Sequence, residues 1–362
     1  MPLTRASAGV IKTEEIVNNR NLVINGAMQV AQRNTSVTGI TTTGYYTADR
    51  WAIQVASAGT WTMNVESSAP TGTEFRKSAN LVCTTADSSL GSGDAFLFEQ
   101  RFEGQNLQGI KKGTVNAESL TVSFYVKSSN TGTYICEFYD VDNTRQISKA
   151  YTIDVANTWE KKTITIPPDT TGQFDNDNGD SFRLFFWLGS GTERTSGTLN
   201  SSAWAALTQA NRVVGQLNLA NRIGNYWAVT GIQLERGSSA TPYEWLDYGR
   251  ELRLCQRYYQ VLARGVVYFA DATAQTSSNA FGVIRLPVTM RTTPTGSVVS
   301  GTNYYRFLAF DADDLCNSVN ITGQSPDIVI VGNNSEISQT QGRAGLFTTL
   351  DAASFVACQA EL

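Results

Sequence analysis

The sequence predicts an all-β protein, with a jelly-roll-type β-sandwich followed by one amphipathic helix and a second, smaller β domain. Segments rich in β-branched and aromatic residues recur about every 8–12 residues, with turn residues between them, which is typical of a sandwich. Several connections are too long for hairpins, which favours a jelly roll. Only residues 243–260 show convincing helical periodicity.

We divide the 362 residues into four parts. Residues 1–20 are polar without a clear period and are expected to be extended. Residues 21–242 form the predicted sandwich, residues 243–262 the connecting helix, and residues 263–362 the C-terminal β domain.

Alternating or clustered apolar residues predict where the strands lie. In the sandwich we expect strands at residues 51–55, 61–65, 79–84, 95–102, 120–127, 133–139, 149–153, 160–166, 182–188 and 227–235. In the C-terminal domain we expect them at residues 266–270, 280–286, 296–299, 304–310, 328–331, 343–348 and 355–360.

The helix is predicted from spacing and from the residues that precede it. Gly237 and two serines break the preceding strand, and Pro242 suits the first turn of a helix, where its missing N–H costs nothing. An apolar stripe on a helix needs burial, so we expect this one to clamp the two β domains together. The clamp residues are Leu246, Leu252, Cys255, Tyr258 and Tyr259.

The composition excludes several classes of function. Histidine is absent, which excludes Ser-His-Asp and Cys-His triads and histidine-ligated zinc. The net charge is −4 without a basic patch, so no nucleic-acid surface is expected. No segment approaches the roughly 20 apolar residues of a membrane helix, so no membrane insertion is expected. No cofactor is predicted, and the five scattered cysteines are interpreted as small buried hydrophobes.

One acidic turn is similar to the beginning of a calcium loop. It contains Asp175, Asp177 and Asp180, whose carboxylate oxygens suit Ca²⁺. An EF-hand also needs an acidic residue at the twelfth position, where this chain has Phe186. The alternative is an ordinary Asn/Asp/Gly turn, and we predict no metal site.

No catalytic residues are predicted. A glycosidase needs two carboxylates about 5–10 Å apart across a cleft. The sequence supplies no such pair in an aromatic setting. The protein is therefore predicted not to be an enzyme.

Two tyrosine pairs are candidates for glycan binding, because aromatic faces stack on pyranose rings while nearby polar groups bond the hydroxyls. Tyr45 and Tyr46 lie near Asp49 in a loop rich in glycine and threonine. Tyr304 and Tyr305 adjoin Arg306. The alternative is that one ring of each pair is buried and the other merely exposed.

Several stretches spread over most of the chain carry a family resemblance. They are NLVINGAMQVAQRNTS (21–36), ADRW (48–51), FEQRFEGQNLQGI (98–110), LTVSFYVKSSNTGTY (120–134), NTWEKKTITIP (157–167), GIQLERG (231–237), ATPYE (240–244), YGRELRLCQRYYQ (248–260) and LPVTMRTTPT (286–295). Together they resemble structural proteins of tailed bacteriophages, such as tail fibres and other virion appendages.

The resemblance implies a virion structural protein, assembled in the host cytoplasm. It would be a tail-fibre-like homotrimer that contacts other virion proteins and presents carbohydrate-binding-like β domains to host-surface polysaccharide. A capsid-decorating protein and a polysaccharide depolymerase are the alternatives. Attachment to the particle is expected through the N-terminal part, whose apolar residues would gain by docking: Leu3, Val10, Ile11, Ile16 and Val17.

Overall fold

β-Strands make up most of the secondary structure in the computed structural model, which describes residues 20–310 and 312–362. All ten segments predicted as sandwich strands are strands, with small shifts at their ends. In chain order, the strands of this first part are β1 (Ser36–Ile40), β2 (Gly44–Tyr45), β3 (Ala52–Ala56), β4 (Thr60–Glu66), β5 (Ser78–Thr85), β6 (Ala95–Glu103), β7 (Leu120–Ser128), β8 (Gly132–Asp140), β9 (Arg145–Ile153), β10 (Glu160–Ile166), β11 (Asp180–Ser190), β12 (Ala205–Ala206) and β13 (Tyr226–Arg236).

These strands form two antiparallel sheets that enclose a common core. The first sheet has the order β1-β4-β5-β13-β7-β10 and the second has the order β12-β9-β8-β11-β6-β3-β2. Successive strands cross between the sheets, as from β5 to β6, from β6 to β7 and from β7 to β8. These crossings are typical of a jelly roll, so the predicted fold class is confirmed.

Stacked aromatic side chains join the two sheets. The Trp61 ring of β4 stacks on Phe96 of β6, with 3.7 Å between centroids. Phe98 of β6 stacks on Trp51 at 4.7 Å and meets the edge of Trp227 from β13 at 5.7 Å. Each such ring, fully buried, contributes about 1.5–3 kcal/mol to stability.

A long insertion, residues 191–220, covers the outer face of the second sheet. It contains the short helix α1 (Thr192–Thr195) and the buried residue Val213, which packs with Phe185 and Trp187 of β11. Arg212 donates to the fully buried Glu137 of β8, with Nε 2.8 Å from Oε1. The insertion therefore seals a sheet face that carries both apolar rings and a buried charge.

The connecting helix is shorter than predicted. Helix α2 spans Tyr248–Gln256, and the Asp247 side chain caps it by accepting a hydrogen bond from the Arg250 amide at 3.0 Å. Assigning helix to all of residues 243–262 is wrong, because Tyr259–Arg264 is a strand paired with Phe355–Gln359. That pairing gives the segment a ladder of backbone hydrogen bonds from residues almost a hundred positions away, which helical spacing cannot reveal.

The predicted clamp residues differ in their burial. Cys255, Tyr258 and Tyr259 are buried, whereas Leu246 and Leu252 are only half-buried. The clamping role of the helix stays a prediction. Within the described ranges, no helix is long and apolar enough to cross a membrane.

The second part consists of one large antiparallel sheet. Its strands are β14 (Tyr259–Arg264), β15 (Tyr268–Ala274), β16 (Ala280–Arg285), β17 (Thr295–Val299), β18 (Tyr305–Ala309), β19 (Asp313–Cys316), β20 (Asn320–Ser325), β21 (Ile328–Asn333), β22 (Ala344–Thr349) and β23 (Phe355–Gln359).

The order of this sheet is β14-β23-β17-β20-β21-β16-β15-β22-β18-β19. Its buried side chains, including Phe307, Phe347 and Val356, form a core separate from that of the sandwich. The first strand of this second part, β14, begins at Tyr259, which lies before the predicted domain boundary at residue 263. All five cysteines of the chain are buried and free, as predicted.

Buried ion pairs join the two parts. Glu361, whose side chain is 9% exposed, accepts hydrogen bonds from Arg50 and, at 3.1 Å, from Nη2 of Arg33. The fully buried Glu103 accepts from Nε of Arg257 at 2.7 Å and from the Tyr258 hydroxyl. Burial alone would raise the pKa of Glu103, but hydrogen bonds from the Arg257 guanidinium and the Tyr258 hydroxyl lower it.

The two carboxylates belong to one network, because the Arg50 guanidinium lies 3.4 Å over the Tyr258 ring. Glu103 also accepts from Gln105 in the following turn at 2.6 Å, which agrees with the role that the family resemblance implies for it. Its bonds to Arg257 and Tyr258 are the ones that the sequence does not predict.

Replacing Glu361 with alanine is expected to destabilise the protein by about 3–5 kcal/mol, because Arg50 would be left buried without a carboxylate. The free energy of unfolding from urea titrations measures the effect. Glu118→Ala is the matched control: its ion pair with Lys111, 3.3 Å long, joins side chains that are 38% and 50% exposed. Such a pair contributes at most about 1 kcal/mol, so equal losses in the two variants would contradict the role assigned to Glu361.

Candidate functional site

A cleft of about 540 Å³ lies where the two β parts meet, and we call it the junction cleft. The first part contributes Arg33, Asn34, Val37, Tyr45 and Tyr46. The second part contributes Tyr259, Arg264, Ser297, Val299, Ala352, Ala353, Ser354, Phe355 and Gln359. The cleft thus combines aromatic rings, guanidinium groups, amides and small side chains.

The predicted pair Tyr45 and Tyr46 lies in this cleft, with both rings half-buried. The Tyr45 hydroxyl donates to the main-chain oxygen of Leu362 at 3.3 Å, and burial raises the pKa of Tyr45 to about 12. The Tyr46 hydroxyl donates to the Thr42 carbonyl at 2.8 Å. Each ring is held at its hydroxyl end, and the Arg33 guanidinium also lies 5.4 Å over the Tyr45 ring, so both rings are restricted in position.

Asp49 does not join the tyrosines as a ligand for sugar hydroxyls. It is 1% exposed, and its Oδ1 accepts from the Gln32 amide at 2.9 Å. The Gln32 side chain bridges the carboxylate to the Tyr259 carbonyl, which lies 2.8 Å from Nε2. The predicted contact with glycan is corrected: Asp49 is sealed beneath the cleft, where it ties the first part to β14.

The second predicted trio does not line the junction cleft. Tyr305 is fully buried, and its hydroxyl donates to the carbonyls of Val299 at 2.7 Å and Phe355 at 3.1 Å. Tyr304 is half-buried. Arg306 forms an ion pair with Asp313 at 3.0 Å. Tyr305 therefore supports two cleft-lining residues from behind and has no face for a sugar, which corrects that assignment.

Three important cleft residues were not predicted as site residues. Arg33 is buried with its guanidinium 3.6 Å over the Tyr259 ring. Arg264 is exposed, lies 4.9 Å over the Phe355 ring, and donates through Nη2 to the Arg33 carbonyl at 2.7 Å. Arg33, Arg264 and Phe355 lie far apart in the chain, so no local motif could have revealed them.

The calcium candidates do not converge. Asp177 accepts from the Gly179 amide at 2.8 Å, as in an ordinary Asx turn, and Asp180 pairs with Arg183 at 2.6 Å. The Asp175 amide donates to Asp142. In the described part of the chain, no group of three or more His, Cys, Asp or Glu side chains could hold a metal ion.

The attachment candidates Leu3, Val10, Ile11, Ile16 and Val17 lie outside the described residues. Attachment through them stays a prediction.

No protein-family model matches this chain, and no curated protein matches it. Among solved structures, the chain is similar to the enzymatically active domain of tailspike protein 4 from bacteriophage CBA120, with 14% identity and a TM-score of 0.32, over 60% of this chain and only 21% of that chain. It is also similar to TmCBM61 in complex with β-1,4-galactotriose, with 12% identity and a TM-score of 0.30, over 60% of this chain and 99% of that one. A third similar structure is the family 11 carbohydrate-binding module from Clostridium thermocellum in complex with a β-1,3-1,4-mixed-linked tetrasaccharide, with 11% identity and a TM-score of 0.29, over 57% of this chain and 98% of that one.

Asp49 is expected to make stability depend on pH. Burial raises its pKa from 3.8 to about 6, although hydrogen bonds from Gln32 and the charge of Arg33 oppose the shift. Between about pH 4 and pH 6 the folded protein holds a proton that the unfolded chain has released, so this group's contribution to stability falls as pH rises through that window. The Asp49→Asn variant lacks this titration. Its free energy of unfolding should therefore improve relative to the unmodified protein from pH 4 to pH 6, and a pH-independent difference would contradict the assignment.

Proposed function

We propose that the protein is a non-enzymatic, tail-fibre-like appendage of a bacteriophage virion that binds host-surface glycans in the junction cleft. The observation that carries the glycan-binding part is the cleft itself. It presents the half-buried rings of Tyr45, Tyr46 and Phe355 beside polar side chains that include Asn34 and Gln359.

This combination matches the chemistry of a sugar. A pyranose ring has C–H faces that pack on aromatic rings and a rim of hydroxyls that exchange hydrogen bonds. Asn34 and Gln359 are exposed amides, which both donate and accept hydrogen bonds. An aromatic floor with amides at its edges supports binding of a polysaccharide segment.

The rings are also preorganised. Tyr45 and Tyr46 are held at their hydroxyls, and the Phe355 carbonyl accepts from the buried Tyr305. Fixing side chains before binding reduces the entropy that a ligand must overcome. Because both β parts line the cleft, it requires the buried ion pairs that hold those parts together.

The virion role rests on the family resemblance, which also implies a homotrimer in contact with other virion proteins. In this proposal residues 1–20 attach the protein to the particle. The alternatives, a capsid-decorating protein and a polysaccharide depolymerase, gain no specific support from the cleft.

Tyr46→Ala is expected to weaken glycan binding by about 2- to 12-fold, since an aromatic stacking contact contributes about 0.5–1.5 kcal/mol. Tyr46→Phe keeps the ring and should bind nearly as well as the unmodified protein. Tyr268→Ala removes a tyrosine that is 66% exposed and does not line the cleft, so it is the matched control. Affinities would be measured by calorimetry with purified host-surface polysaccharide.

Equal affinities of Tyr46→Ala and Tyr268→Ala would remove the cleft from the proposal. The same incubations should release no new reducing ends. Cleavage that disappears when a single carboxylate is replaced would instead make the protein a depolymerase.

Deleting residues 1–18 is expected to leave a folded protein that no longer enters virions. Asn21 anchors the beginning of the described chain. Its backbone N–H donates to the Glu244 carboxylate at 2.8 Å, and its side-chain Oδ1 accepts from the Leu234 backbone N–H at 3.0 Å. The deletion leaves these contacts intact. Circular dichroism would check folding and particle composition would check incorporation; normal incorporation would move the attachment site into the β parts.

A further inference from the structure

We propose that the junction cleft selects acidic glycans, specifically chains that contain a carboxylated sugar such as a hexuronic acid. This inference rests on the proposed glycan binding and adds the class of sugar.

The charges that line the cleft have one sign. Its lining includes the guanidinium groups of Arg33 and Arg264 and contains no aspartate or glutamate. The whole chain carries a net charge of −4, so the lining of the cleft is more positively charged than the molecule as a whole. A local positive potential of this kind favours an anionic ligand over a neutral one.

Arg264 is the guanidinium available to such a ligand. The nearby Arg33 and Arg50 are already in ion pairs, Arg33 with both Asp49 and Glu361 and Arg50 with Glu361. Arg101 donates to the main-chain oxygen of Leu362, the atom that also accepts from Tyr45, and it is paired with Glu99 at 2.7 Å. Arg264 forms no ion pair within the described residues, and it is the exposed member of this group.

Arg264 is also oriented for recognition. Its Nη2 donates to the carbonyls of Gln32 and Arg33, while the guanidinium lies over the Phe355 ring. These contacts fix the plane of the group and leave Nε and Nη1 as donors without a hydrogen-bond partner in the described structure. A two-bond fork to a carboxylate always includes Nη2, which here already bonds two carbonyls, so Arg264 offers a carboxylate one charge-assisted N–H···O bond from Nε or Nη1. Such a bond between two charged groups is stronger than the one that a neutral sugar hydroxyl would accept.

A ligand would thus meet two kinds of surface together. The ring of a hexuronic acid can pack on the aromatic side chains while its carboxylate reaches Arg264. Sulfated or phosphorylated sugars share the negative charge, so matched ligands are needed to distinguish them from carboxylated ones.

Asn34 offers a test that spares the structural contacts. It is exposed, it lines the same cleft, and its side chain makes no hydrogen bond within the described residues. Asn34→Asp adds a negative charge to the cleft and Asn34→Lys adds a positive one. The probe is a panel of immobilised hexuronic-acid oligosaccharides of different linkage, each paired with its carboxyl-reduced neutral form, together with sulfated and phosphorylated oligosaccharides.

We expect the unmodified protein to bind at least one acidic oligosaccharide more tightly than its reduced partner, by a factor of up to about five, since an exposed ion pair contributes up to about 1 kcal/mol. Asn34→Asp should lower the ratio of the affinity for the acidic form to that for its neutral partner, and Asn34→Lys should raise this ratio. The preference should shrink as salt is raised, because salt screens exposed charges.

Arg264→Gln should abolish the preference. Arg264→Lys should retain most of it, because lysine keeps the positive charge. The thermal midpoints of both variants are compared with that of the unmodified protein, because Arg264 also bonds two carbonyls.

Equal binding of acidic and reduced forms would overturn this inference and leave the proposed glycan binding standing. Preference for the sulfated or phosphorylated members alone would overturn the assignment of a carboxylate. Binding to no member of the panel, acidic or neutral, would sink the inference, and the calorimetry with host-surface polysaccharide then decides the proposed function separately.

Discussion

The arrangement of this protein depends on carboxylates buried between its two β parts. Glu361, near the last strand, meets Arg33 and Arg50 of the sandwich, while Glu103 of the sandwich meets Arg257 and Tyr258 beside the helix. A buried charge is costly unless it is paired and hydrogen-bonded, and here each buried carboxylate finds its arginine partners outside its own part of the chain. This reciprocity favours one orientation of the parts over others that would leave a charge unpaired.

The junction cleft follows from that constraint. Neither part contains the site alone, because Tyr45 and Tyr46 come from the sandwich while Arg264 and Phe355 come from the second sheet. Hydrogen bonds beside the cleft also connect the two parts, since the Gln32 side chain donates to Asp49 of one part and to the Tyr259 carbonyl of the other. Geometry at the cleft and stability of the junction are therefore coupled, and a change in either is expected to affect the other.

Prediction from sequence succeeded where one sheet face is buried and the other is not. Strand β10 alternates, with Ile164 and Ile166 buried and Thr163 and Thr165 exposed, and this period of two is a property of the strand itself, whichever strands lie beside it. Prediction from sequence failed where a strand depends on the strands that pair with it more than on its own pattern of apolar residues. The first residues of strand β14 were assigned to the helix because Tyr258 and Tyr259 continue the helical spacing, and the polar strand β20 has too few apolar residues to be recognised. At the site, the tyrosine pair was found because two adjacent aromatics in a polar loop are unusual, whereas Arg264 and Arg33 are 231 residues apart.

The sequence by itself determined the fold class, the approximate strands and the presence of a helix, because these depend on local periodicity and on turn residues. Only the tertiary structure decided which polar residues are buried. Asp49 and Tyr305 look like ligand-binding residues in the sequence, yet both are enclosed and bonded to the protein itself. Burial and pairing arise from contacts between distant segments of the chain. Tertiary packing therefore determines whether such a residue supports the site from within or is exposed to a ligand.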